Sequence, residues 1–150
     1  MRPQIAWWAV LGAGLVAQTT MAPYFFPDAW RPDVTRSLVL WLAFTGVPSG
    51  GVFYAFAAGL ASDAASGAPL GLAVICRLAL YGLAKPARGT IAHNRILFLL
   101  GPFAVLSEAL IVWALRGMAF ANPVPASAVL GLMLRQALAE TVALPVTFLI

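Results

Sequence analysis

The chain has 150 residues, of which 62% are hydrophobic and 9% charged, with a mean hydropathy of +0.92. Water-facing domains carry about 25% charged residues, so this composition excludes an ordinary hydrated domain and predicts an integral membrane protein with one domain over residues 1–150. The net charge of +4 is scattered, with a concentration in one loop, which is a topology signal rather than a nucleic-acid footprint. The lone Cys76 and lone His93 exclude an intramolecular disulfide and a multi-histidine metal site, and no cofactor is expected.

The first predicted span covers about 4–21, with Trp7 and Trp8 where an aromatic belt would lie. Arg2 before an apolar run also suits a signal peptide. Leu15 at −3 from Ala17, or Pro23 directly after Ala22, spoils the cleavage sites, so the segment is read as uncleaved. A loop follows, "APYFFPDAWRPDVTR", with Tyr24, Phe25, Phe26 and Trp30 expected at the interface. The second and third spans, about 34–47 and 51–66, are short and are separated by "GVPSGG". They form either two protein-sheltered spans or one re-entrant hairpin. The pair is favoured because helix can run past Ser62 to Ser66.

"SGAPLG" is a turn: Gly67 supplies backbone freedom and Pro69 suits a first helical turn. The fourth span is about 70–83, followed by the basic loop "AKPARGTIAHNR", in which His93 reads as solvated or headgroup-facing. The fifth span is about 96–115 and the sixth about 129–150, with Pro102 and Pro145 inside them. Membrane helices tolerate such prolines when neighbours satisfy the freed carbonyls. An even number of spans puts both termini on one side, together with Arg2, Lys85, Arg88 and Arg95. The positive-inside rule then makes both termini cytoplasmic. The expected fold is an all-α, six-helix transmembrane bundle.

Four ionisable residues fall inside the predicted spans: Arg77, Glu108, Arg135 and Glu140. A charge at mid-bilayer costs about 2.5–3.5 kcal/mol on insertion scales, so such groups face inward and pair. Counted from the external ends of their spans, Arg77, Glu108 and Arg135 lie at one level, about 9–10 Å deep at 1.5 Å per residue. Glu140 lies deeper. The group reads either as a structural ion network or as a polar cavity open to the external side. Asp63 reads either as a cap for the helix near Pro69 or a solvated interface residue, or as a residue that contacts a partner or pairs with an arginine. Cys76 reads as a small buried hydrophobe. Trp7 and Trp8 read as interface anchors.

The stretch "YAFAAGLASDAASGAPLGLAVICRLALYGLAK" carries a family likeness. An aromatic-rich helix ending in G-L-x-x-D, a small-residue turn and a P-L-G opening the next helix resembles the bacterial rod shape-determining protein MreD family. "WRPDVTRSLVLWLAF" matches the family's "RPD" and short second span. The matching positions are Gly59, Asp63, Pro69 and Gly71, and Arg77 departs from a helix that is more apolar in the family. The resemblance implies a bundle similar to the substrate-binding subunits of energy-coupling-factor transporters. It implies a non-enzymatic scaffold of the bacterial inner membrane that binds MreC in the cell-elongation peptidoglycan machinery, beside MreB, RodA and a penicillin-binding transpeptidase. The alternative is a ligand-binding transporter subunit with a polar cavity near Arg77, Glu108 and Arg135. A lipid-headgroup enzyme has too few paired polar residues.

Overall fold

Ala-, Leu- and Val-rich runs punctuated by Gly and Pro favour helices with sharp ends. The computed structural model describes residues 3–27, 30–45, 50–67, 69–88, 94–119 and 126–148, and these are helices and their connections. Helix α1 (Pro3–Val16) passes through a π-helical stretch, Ala17–Met21, into the short α2 (Ala22–Phe25). The hydroxyls of Thr19 and Thr20 donate back to the carbonyls of Leu15 and Val16 there, competing with the backbone ladder. Then come α3 (Val34–Thr45), α4 (Gly51–Ser66), α5 (Leu72–Ala84), α6 (Asn94–Ala119) and α7 (Ala126–Phe148).

α3 is the hub. It is buried on nearly every side, from Thr35 to Leu40 and again from Leu42 to Phe44: its first turn is polar and its remainder mostly apolar. It packs against α1, α4, α5 and α7. α4 with α5, and α6 with α7, form the two most extensive helix pairs. The core joins Val39, Leu40 and Ala43 of α3 to Ala55 and Ala58 of α4, Leu80 of α5 and Ala104 of α6. Trp7 packs on this core, with its ring 4.3 Å from that of Trp41. It is therefore a packing residue and not the interface anchor expected from its position.

Gly59 sets the α4–α5 distance. A Cβ there would lie 2.5 Å from the Cα of Val74, so the two backbones touch where a side chain would separate them. Large apolar side chains turn outward instead, among them Val52, Phe53, Phe56 and Leu60 on α4, and Leu130, Leu134, Leu138 and Val142 on α7.

The expected transmembrane bundle is not what these helices make. Among the described residues, no helix is long and apolar enough to cross a membrane. A hydrocarbon core is about 30 Å thick. At about 1.5 Å per residue, α3 and α5 reach only about 18 and 20 Å. α1 gives way to the π stretch after 14 residues. α6 and α7 are longer but carry Pro102 and Glu108, and Arg135 and Glu140. The hydropathy that suggested spans is real but divided among short pieces. The helices themselves begin and end within a few residues of the predicted helical segments.

Candidate functional site

Among the described residues, a largely buried polar cluster is assembled from the start of α3. Asp33 sits just before that helix as its N-cap. Its Oδ1 accepts the Thr35 and Arg36 amides at 3.0 and 3.2 Å, satisfying donors that a helix start leaves open. The Thr35 hydroxyl donates to the same oxygen at 2.6 Å. This cap aims Arg36 and Ser37 across the first turn toward α6 and α7.

Arg36 donates from Nε to Glu108 Oε2 at 2.6 Å and from Nη1 to Glu140 Oε1 at 3.0 Å. Arg77 of α5 donates from Nη1 to the same Glu108 oxygen at 2.8 Å, and from Nη2 to Asp33 Oδ2. Its Nε and Nη2 also reach the Thr35 hydroxyl at 3.3 and 3.2 Å. Glu140 Oε1 accepts the Asp33 amide at 2.7 Å, and its Oε2 lies 3.0 Å from the Ser37 hydroxyl. Two guanidinium forks thus bind three carboxyls and join α3, α5, α6 and α7. Arginine suits such a node because its planar fork serves several acceptors and keeps its proton. Arg77 is 1% exposed and Glu140 0%.

The electrostatics follow from this geometry. Burial alone would raise Asp33, but Arg77 and Arg36 outweigh it and hold the carboxyl below its usual range. Burial likewise opposes ionisation of Glu108, and the two arginines overcome it. Glu140 goes the other way: burial dominates, Arg36 offsets only part of it, and its pKa is raised. Burial also lifts the Cys76 thiol to about 11, which suits an inert packing residue.

Of the sequence-predicted residues, Arg77, Glu108 and Glu140 meet here. Arg135 does not: it is exposed on α7 and joins none of these ion pairs. The proposed level of Arg77, Glu108 and Arg135 therefore does not assemble into one cavity, and the first two are bonded to each other. Asp33, Thr35, Arg36 and Ser37 complete the cluster from what the sequence marks as a loop and the start of the second span. The available signal was "DVTR", an N-cap Asp followed at two and three residues by the amides it caps.

The second polar feature is the α4–α5 corner. Asp63, 1% exposed, lies in the last turn of α4. Its Oδ2 accepts the Gly71 amide at 2.8 Å and its Oδ1 the Ala73 amide at 2.9 Å. It thus caps α5 from the preceding helix, at the end of a helix dipole that favours negative charge. Gly71 occupies φ +100°, a conformation that other residues rarely adopt. The Pro69 carbonyl accepts the Leu72 amide at 3.2 Å and completes the turn. Asp63 is thus a buried cap, bonded to backbone amides and not to an arginine, rather than a solvated residue. His93 lies outside the described residues, and no metal-binding group of His, Cys, Asp or Glu occurs among those that are described.

No family model, curated protein or solved structure matches the chain.

Proposed function

We propose that the protein is a non-enzymatic scaffold of the bacterial cell-elongation machinery, of the MreD type. It works at the cytoplasmic membrane and binds MreC beside MreB, RodA and a penicillin-binding transpeptidase. The observation that carries this reading is the α4–α5 corner. The four positions of the family likeness, Gly59, Asp63, Pro69 and Gly71, are the ones that build it, through a backbone contact, a carboxylate cap and a turn.

Two further observations support it. Polar groups of the buried cluster are largely engaged with one another, which suits a lock that holds helices in register. The outward faces of α4 and α7 carry large apolar side chains, as an interaction surface at a membrane or a partner would.

The test is a pull-down of the tagged protein from detergent-solubilised membranes, with mass spectrometry of what co-elutes. Recovery of MreC with the cell-wall synthases is expected. Recovery of a membrane ATPase pair with a coupling subunit, and no MreC, would replace the scaffold with a transporter subunit.

A further inference from the structure

The buried cluster does not balance. Among the described residues it holds three carboxyls, Asp33, Glu108 and Glu140, and two guanidiniums, Arg36 and Arg77. Fully ionised, it would keep one negative charge with no cation to meet it, in a place that solvent barely reaches. An uncompensated buried charge is expensive, and a carboxyl in that position takes up a proton instead.

The hydrogen bonds say which carboxyl. Asp33 accepts two backbone amides, the Thr35 hydroxyl and Arg77, with a second guanidinium 3.8 Å away. Thr35 already receives two bonds from Arg77, so its oxygen has no capacity left for an Asp33 proton. Glu108 answers to both arginines through one oxygen. Glu140 answers to one guanidinium, that of Arg36, and through Oε1, which also accepts the Asp33 amide. Its Oε2 faces the Ser37 hydroxyl, a group that can accept a hydrogen bond as well as donate one.

We propose that the cluster binds one proton, carried on Oε2 of Glu140 and donated to the Ser37 hydroxyl, so that α7 docks on α3 through a neutral carboxyl. The groups that face this proton site are Asp33, Arg36 and Ser37 from α3 and its cap. Glu108 from α6 lies across Arg36, and Arg77 from α5 lies behind Asp33 and Glu108. Arg135, on α7 itself, is exposed and outside the cluster. Removing the proton restores the surplus charge at the α3–α7 contact. The contact is therefore weaker in alkali, a direction that agrees with the raised pKa of Glu140.

The experiment is infrared spectroscopy of the full chain in heavy water near neutral pH, with Glu140→Gln and Ser37→Ala beside the wild type. A protonated-carboxyl carbonyl band is expected in the wild type and is expected to vanish in Glu140→Gln. The band is expected to shift in Ser37→Ala, which removes the acceptor. This second variant keeps the test decisive if Glu140→Gln does not fold. Absence of the band in the wild type overturns the proposal, as does its survival in Glu140→Gln or an unmoved band in Ser37→Ala. Thermal melting gives a second reading. As pH rises above the ordinary glutamate value of 4.5, the wild type should lose stability relative to Glu140→Gln. A constant difference between the two across that rise overturns the assignment.

Discussion

Arg36 Nε lies 2.6 Å from Glu108 Oε2, and this contact ties α3 to α6 across 72 positions of sequence. It is one arm of a node in which each arginine hydrogen-bonds to two carboxyls. In such a node the loss of one member strands the others, and that asymmetry sets the size of the effects expected.

Arg77→Leu should destabilise the protein by about 3–5 kcal/mol, the range for breaking a buried pair by removing one partner. Arg77→Lys should recover only part of this. One ammonium cannot reproduce the fork that reaches Asp33, Thr35 and Glu108 together. Arg135→Ala, on the exposed face of α7, should melt with the wild type. Denaturant midpoints of the three variants measure the ranking, and equal losses for Arg77→Leu and Arg135→Ala would refute the geometry.

Asp63→Ala should cost about 1–2 kcal/mol, as the loss of a helix cap does. The effect should be local. Amide hydrogen exchange at Gly71 and Ala73, the two donors that Asp63 holds, should accelerate before exchange elsewhere in α5. Uniform acceleration over the whole chain would argue against a cap.

Gly59→Ala should destabilise by about 1–3 kcal/mol, the usual cost of overpacking. The added methyl meets the Val74 backbone, which has no rotamer with which to yield. Gly12→Ala, where a Cβ meets nothing within 4 Å, is the matched control and should be tolerated. Thermal melting of the pair checks the contrast.

Acid should unfold the protein through Asp33 and Glu108. Their folded values lie below the ordinary 3.8 and 4.5, so the unfolded chain binds more protons in that window and stability falls as pH drops through it. Glu140 has the opposite sign. Its raised value makes stability fall as pH rises above 4.5. A melting series from neutral pH down to about pH 2 should therefore show a steep loss below about pH 4.5. Asp33→Asn should flatten part of that loss while lowering stability at neutral pH.

Helix positions were legible because Gly, Pro and apolar runs are local signals. Arg77, Glu108 and Glu140 stood out because a charge in an apolar run needs a partner. Arg135 shares their depth along the helix axis but not their face. Five residues at about 100° each turn a side chain about 140° around a helix, so Arg135 and Glu140 cannot both face inward. Asp33 and Arg36 do not stand out in the sequence because the prolines before them suggest an idle loop, whereas their role depends on contacts about 40 to 107 positions away. Total hydropathy points to a spanning bundle because it does not register how a chain divides its apolar residues among helices.

The Asp63 cap also bears on the order in which the chain assembles. Its two bonds close loops of only 8 and 10 residues. Short closures are entropically cheap and fast. The α4–α5 hairpin is therefore the expected nucleus. The charge node closes separations of up to 107 residues and waits for α7. Pulsed hydrogen exchange during refolding should show Gly71 and Ala73 protected before Asp33. Until α7 arrives, Arg36 and the Asp33 amide stay hydrated, and the closing step of folding is the one that dries them.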